Sequence, residues 1–324
     1  MRVLFASLAS VGHTYPLIPL AIAVRAAGHE VHFAAGEEVH APLAANGLRP
    51  FRPADSFYEI YAEDLAPELD RLRPDLVVHE WGLPGAAIAA TRAGIPGIWH
   101  GFGRMVPPGI GLELPMAVAP DRPHFDICPP SLQDKDFLDN GRRIPVRPVP
   151  FSPPEPWRVE HTKPLIYLTL GTAFGTAELL TTAVNALAAL DAEVVVATGR
   201  VTPDQLGDVP ANVTVRSWVP QADLLPHADL VVHHGGSGTT LGALAAGVPQ
   251  LLLPQGADQF ANADAVSAAG AGLTGTTEEI ADHARKLLSP RENGYREAAR
   301  SVQAEIAAMP SPEKIAQRLP EFLP

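Results

Sequence analysis

The densest run of chemically capable residues is His233-His234-Gly235-Gly236-Ser237-Gly238-Thr239-Thr240, which follows an apolar strand pattern and opens a small-residue helix over Leu241 to Ala246. Glycines let backbone approach a ligand closely. Unpaired amides and the positive dipole end of the helix then form an anion site, to which the hydroxyls of Ser237 and Thr239 add donors. A phosphate fits such a site without a metal. Upstream, Trp218-Val219-Pro220-Gln221 ends a predicted strand, so an indole and an amide stand at the carboxyl edge of the same sheet. A nucleobase can stack there, although an isolated tryptophan is more often a core side chain. Asp258 lies 20 residues beyond Gly238 and superficially supplies the acidic ribose partner of a dinucleotide-binding oxidoreductase. That reading ranks low, because Asp258 follows Pro254-Gln255-Gly256-Ala257 in a loop beyond the strand, facing a cleft.

A second concentration lies near the start. Gly12-His13 directly follows the first strand, which places an imidazole at a sheet's carboxyl edge, and an ordinary pKa of about 6.5 suits a general base near neutrality. A base needs an orienting partner. Glu80 ends the apolar run Leu76-Val77-Val78-His79, so it too sits at a carboxyl end and can accept a hydrogen bond from the far imidazole nitrogen. His233 and His234 are adjacent on a strand, point to opposite faces and cannot hold one metal together. Asp134-Lys135-Asp136 has the look of a metal-binding carboxylate pair, but it falls in a polar segment outside the alternating pattern, and no metal site is assigned.

The elements that must position these groups alternate. Val3 to Leu8 reads as a buried strand, Pro16 to Ala27 as a helix ended by Gly28, and Glu30 to Ala35 as a second strand. Leu76 to His79 and Gly97 to His100 read as strands around a helix over Pro84 to Arg92. Later, strands over Leu165 to Leu170, Glu193 to Thr198, Val213 to Val219 and Leu230 to His233 flank a helix over Thr176 to Leu190, and Tyr295 to Ala308 forms a helical tail. The rhythm predicts an α/β protein of two Rossmann-like lobes, each a doubly wound parallel sheet, with ligands at the strand carboxyl ends and an active site in the cleft between lobes.

Seven of the 34 prolines fall between Pro145 and Pro164, including Pro153-Pro154-Glu155-Pro156, which can be neither helix interior nor central strand. The expected organisation is a first Rossmann-like domain over 1–148, a linker over 149–164, a second Rossmann-like domain over 165–307, and a segment over 308–324 packing back on the first domain. A proline cluster from Pro107 to Pro130 predicts a loop-rich end to the first lobe.

With 324 residues, 46% hydrophobic and 19% charged, the composition excludes a largely disordered or collagen-like chain. The net charge of −12 repels a phosphate backbone, so no nucleic-acid partner is expected. Cys128 is the only cysteine, which fits a reducing compartment, and the protein is read as cytoplasmic. The opening Met1 to Ala6 reads as a buried strand rather than a signal peptide, and no apolar run approaches a membrane span.

Together these segments resemble the nucleotide-sugar glycosyltransferases with the two-lobed GT-B fold, and among them the bacterial natural-product enzymes of the family that also holds macrolide and plant UDP-sugar transferases. The resemblance rests on Trp218-Val219-Pro220-Gln221, then His234-Gly235-Gly236-Ser237-Gly238-Thr239, then Pro254-Gln255-Gly256-Ala257-Asp258-Gln259 with Asn262, in family order and spacing, and it extends over essentially the whole chain. It implies that 1–148 binds the acceptor, with Gly12 beside it, and that 165–307 binds the donor. In that family Trp218 would stack on the base, Val219 and Gln221 would lie beside base and ribose, and His234 with Gly236, Ser237, Gly238 and Thr239 would hold the diphosphate. Thr172 matches a phosphate-side position, and Asp258 and Gln259 would read sugar hydroxyls. His13 matches the catalytic base and, counting back from Gly94, Glu80 rather than His79 its acidic partner.

The implied activity is that of an inverting hexosyltransferase of antibiotic biosynthesis and secondary metabolism. It would be metal-independent and without cofactor, and would use a dTDP- or UDP-linked sugar and a small-molecule acceptor. The chain is short of the family between Phe51 and Leu76 and between Gly101 and Pro130, regions that shape the acceptor pocket. The acceptor pocket is then expected to be shallow, adapted to an unusual aglycone, or completed by a carrier or partner protein; a carrier, an auxiliary protein or a homodimer is a candidate partner, and a noncatalytic auxiliary homologue and a nucleotide-sugar epimerase stand as alternative functions.

Overall fold

The computed structural model describes residues 1–53, 61–105, 122–153, 161–173 and 175–323. The chain divides into a first unit, Met1–Phe151 with Met309–Pro324, and a second, Ser152–Ala308. In the first unit the strands are β1 (Arg2–Ala6), β2 (Glu30–Ala34), β3 (Arg49–Phe51), β4 (Leu76–Glu80), β5 (Gly97–His100), β6 (His124–Asp126) and β7 (Arg143–Pro145). They form one parallel sheet in the order β3-β2-β1-β4-β5-β6-β7. Its helices are α1 (Val11–Thr14), α2 (Ile18–Ala26), α3 (His40–Ala45), α4 (Ala62–Leu72), α5 (Pro84–Arg92) and α6 (Lys135–Leu138). The second unit holds β8 (Leu165–Thr169), α7 (Ala177–Ala188), β9 (Glu193–Ala197), β10 (Val213–Arg216), α8 (Gln221–Leu224), β11 (Leu230–His233), α9 (Ser237–Ala245), β12 (Gln250–Leu252), α10 (Gln259–Ala268), β13 (Gly272–Thr274), α11 (Ile280–Leu288) and α12 (Gly294–Ala308). Its sheet, also parallel, runs β10-β9-β8-β11-β12-β13. The final helix, α13 (Pro312–Arg318), packs on α2.

Each strand order reverses once, between β1 and β4 in the first sheet and between β8 and β11 in the second. Ligands of such sheets collect at that switch point, beyond the strand carboxyl ends. The two expected parallel α/β lobes are present. Parallel strands buried on both faces read as unbroken apolar runs rather than alternating ones. In β8 every residue is buried: Ile166 and Leu168 enter one core with Val194, Val196 and Val232, while Leu165 and Tyr167 enter another with Val195, Ala197 and Val231.

Several boundaries differ from the sequence pattern. The helix expected over Pro16 to Ala27 begins as a 3₁₀ turn over Tyr15–Leu17, which follows the separate short α1, and continues as α2; Pro16 and Pro19 lie in the first turns of the 3₁₀ turn and of α2, where a missing N–H costs nothing. Gly28, at φ 89°, ends it. The strand expected to reach Val219 stops at Arg216, so Trp218 and Val219 lie in the turn beyond it. Of the loop-rich stretch Pro107 to Pro130, residues 107–121 lie outside the described residues; the remainder contributes β6. Asp134 is the N-cap of α6, its carboxylate accepting from the amides of Asp136 and Phe137, which accounts for Asp134-Lys135-Asp136 without a metal. The linker prolines Pro154 and Pro156 also lie outside the described residues. Arg147 ties the returning segment to the first unit through its amide to the Pro310 carbonyl at 2.8 Å.

Candidate functional site

The first unit's site forms at its switch point. Pairing of Ala6 with His79 leaves Glu80 one residue past the end of β1, level with the turn into α1. Buried Ser7 and Thr14 hydrogen-bond through their hydroxyls at 2.8 Å, and the Thr14 hydroxyl donates to the Leu8 carbonyl at 3.2 Å, which fixes the turn that carries Gly12 and His13. His13 Nδ1 lies 3.1 Å from Glu80 Oε1; the imidazole is 26% exposed and the carboxylate fully buried. The amide of Gly82 donates to the same oxygen at 2.8 Å. With Glu80 Oε1 accepting, the ring proton lies on Nδ1 and the lone pair on Nε2. The Phe102 ring packs against the imidazole at 5.1 Å between centroids, and Trp81 lies 6.3 Å from Phe102. Gly12 is exposed, with open space where a Cβ would stand. His79 is buried edge-on to Trp99 at 4.1 Å, and desolvation, then the Arg122 charge, holds its pKa well below the usual histidine value.

In the second unit the turn from β11 into α9 is built around one imidazole. His234 lies between two glycines: a Cβ on Gly171 would stand 2.6 Å from its Nε2 and one on Gly236 2.4 Å. Desolvation lowers its pKa, against the Asp258 charge and the Thr169 backbone, which raise it, so a neutral ring is favoured. Gly235 adopts φ 92° and passes so near α10 that a Cβ would stand 2.9 Å from the Gln259 carbonyl oxygen. His233 on the buried face donates from Nε2 to Gln250 at 2.7 Å, accepts the Gly235 amide at 3.1 Å, and has its pKa pushed down to about 3 by burial.

The hydroxyl of Ser237 is committed inside the protein. It donates to Asp258 Oδ2 at 2.8 Å, while Asn262 Nδ2 donates to Asp258, Ser237 Oγ and the Gly235 carbonyl at 3.0, 3.1 and 2.9 Å. The Ser237 hydroxyl proton, expected to add a donor for an anion, is thus directed at Asp258. Thr239 is buried and Gly238 exposed at the helix start. Gln259 is 2% exposed, its Oε1 accepting the amides of Gln255 and Gly256 at 2.8 and 3.3 Å, so it shapes the loop that presents Asp258. Val219 is buried in the core, Trp218 and Gln221 are half-buried, and Thr172 is exposed just past β8.

Beside the Gln255–Gln259 loop, a cavity of about 410 Å³ opens at the ends of β12 and β13, lined by Leu179, Leu253, Pro254, Phe260 and Thr276 among others. Among the described residues no group of three histidine, cysteine, aspartate or glutamate side chains could hold a metal ion, and no helix is long and apolar enough to cross a membrane. The sequence pattern did not single out Ser7, Thr14, Trp81 or Phe102. Hydroxyls in a turn and aromatics after a strand carry no spacing signal; only the neighbouring Glu80 and Gly101 marked the place.

Residues 181–322 match the erythromycin biosynthesis protein CIII-like C-terminal domain. The chain is 33% identical to L-demethylnoviosyl transferase of Streptomyces niveus over 375 aligned positions, covering 98% of this chain and 97% of that protein. It is likewise 33% identical to the elloramycin glycosyltransferase ElmGT of Streptomyces olivaceus, with the same coverage. Among solved structures, the glycosyltransferase SnogD from Streptomyces nogalater superposes at TM-score 0.85 with 29% identity, covering 100% of this chain and 99% of that one. The Streptomyces sp. SF2575 glycosyltransferase SsfS6, complexed with thymidine diphosphate, superposes at TM-score 0.82 with 27% identity and 99% of each chain.

Proposed function

Because the chain belongs to the glycosyltransferases of antibiotic biosynthesis, built on the GT-B fold, we propose that it moves a sugar from a dTDP- or UDP-linked donor to a natural-product acceptor, with inversion and without a metal. The observation that carries this reading is the His13–Glu80 pair, an oriented and partly exposed imidazole at a sheet switch point. His13 Nε2 takes the proton of the acceptor hydroxyl as its oxygen attacks the anomeric carbon. The bond from that carbon to the diphosphate oxygen breaks, and the electron pair leaves with the nucleoside diphosphate. Buried Glu80 stabilises the imidazolium that forms. Attack opposite the leaving group inverts the anomeric centre.

The donor belongs to the second unit. The amides of Ser237, Gly238 and Thr239 and the dipole of α9 receive the diphosphate, with His234 beside them. Trp218 stacks on the base next to Val219 and Gln221, and Thr172 lies on the phosphate side. Asp258, braced by Ser237, Asn262 and the Gln259 loop, reads sugar hydroxyls. Thymidine diphosphate in the related SsfS6 favours the dTDP-linked donor.

The test incubates the protein with dTDP- and UDP-sugars, with and without candidate acceptors, and follows nucleoside diphosphate release. Release that depends on acceptor, with an inverted product, is the expected result. An isomerised donor would point instead to an epimerase, and tight nucleotide binding without turnover to an auxiliary protein.

A further inference from the structure

Two buried side chains at the carboxyl ends of neighbouring strands each carry a polar atom without a hydrogen-bond partner among the described residues. Glu80 and His100 are the last residues of β4 and β5, and they are register partners. Facing residues of neighbouring parallel strands project to the same side of the sheet, with strands about 4.8 Å apart. Both side chains are fully buried. Glu80 spends Oε1 on His13 and Gly82, and Oε2 has no hydrogen-bond partner among the described residues. His100 donates from Nδ1 to the Gly101 carbonyl at 2.7 Å, which leaves Nε2 as a lone pair, and that atom has no partner among the described residues either. Burial holds the His100 pKa down to about 4, so the ring carries no second proton near neutrality. Two acceptors cannot satisfy one another. What satisfies both is a donor with two hydrogens, small enough for the interior.

We infer that one buried water molecule donates to Glu80 Oε2 and to His100 Nε2, and that His100 is thereby a positioning residue for the base. The connected groups run from the Gly101 carbonyl through His100, the water and Glu80 to His13. The water fixes the carboxylate so that Oε1, rather than Oε2, faces the imidazole. His100 touches no substrate; it acts through Glu80. The role rests on reading His13 as the base, whereas the water itself does not.

The decisive measurement is a high-resolution crystal structure of the full chain. Density for one water within about 2.6–3.2 Å of both atoms supports the inference, and direct contact or a dry gap overturns it. Kinetics supply the second readout. His100→Phe keeps a ring but removes the acceptor, and its turnover is expected to fall on the order of tenfold with KM for the donor little changed. His100→Gln, which can donate to the Gly101 carbonyl and accept from water, should restore most of that loss. Normal turnover in His100→Phe, or no rescue by His100→Gln in folded protein, overturns the positioning role. If His13→Ala turns over normally, the base assignment falls while the crystallographic test of the water stands.

Discussion

Adding one methyl group at position 238 should separate folding from donor binding. Gly238 is the second residue of α9 and exposed, and a Cβ built there meets nothing within 4 Å. Alanine is favoured over glycine inside a helix by up to about 1 kcal/mol, so Gly238→Ala should be as stable as the parent or melt up to about 2–4 °C higher. On the proposed donor assignment, the same methyl would stand where the diphosphate approaches the helix amides. An oxygen accepting an amide at about 2.9 Å cannot keep that distance past a Cβ in its path. Loss of one charge-assisted hydrogen bond is worth about 1.5–3 kcal/mol, a fall in affinity of roughly 10- to 100-fold. Calorimetric titration with thymidine diphosphate and with uridine diphosphate, beside a melting curve for each protein, reads both effects. Gly236→Ala is the contrast: its Cβ would press on His234, so it should disturb the turn even without ligand. If Gly238→Ala binds nucleoside diphosphate like the parent, the diphosphate does not sit on this helix end and the donor assignment is wrong.

His13→Ala should lower turnover by about 10²–10⁴ with donor affinity unchanged, and Glu80→Gln by less; single-turnover rates near the parent in His13→Ala would remove it from the mechanism. Gly235→Ala should cost on the order of 1–3 kcal/mol in urea unfolding, because it needs both φ 92° and the space beside the Gln259 carbonyl; parental stability would contradict the observed turn. Buried His100, His124 and His233 have folded pKa values of about 4, 3 and 3, all below the ordinary 6.5. The unfolded chain therefore binds more protons between those limits, and stability falls with acidification below about pH 6.5, by up to about 1.4 kcal/mol per pH unit for each histidine. Two of the three belong to the first unit, so its unfolding should show the steeper acid dependence; stability flat from pH 7 to 5 would show that these rings are not buried neutral.

Elements whose pattern and punctuation agree were legible. Pro84 to Arg92, with proline at its start and Gly94 beyond its end, and Leu230 to His233, an unbroken apolar run, coincide with α5 and β11. Three-residue strands were not: β3, β6, β7, β12 and β13 are too short to show a period, and they exist because a neighbour offers a ladder. At the candidate site, residue types and their nearness to strand ends were readable, which brought out His13, Glu80 and the glycine turn. The direction of each hydrogen bond was not. Nothing in the letters tells that the Ser237 proton goes to Asp258, or that the Gln259 amide closes its own loop, because both depend on α9 and α10 meeting in three dimensions.

The return of residues from Met309 onward to the first unit bears on how the chain comes off the ribosome. Domains ordinarily mature in the order of their synthesis. Here α2 must wait for α13 to cover it, so the lobe begun first is completed last, after the intervening one has been made in full. Until then its apolar flank is open to chaperones, and a premature stop just before Met309 would strand the earlier lobe unfinished while sparing the later one.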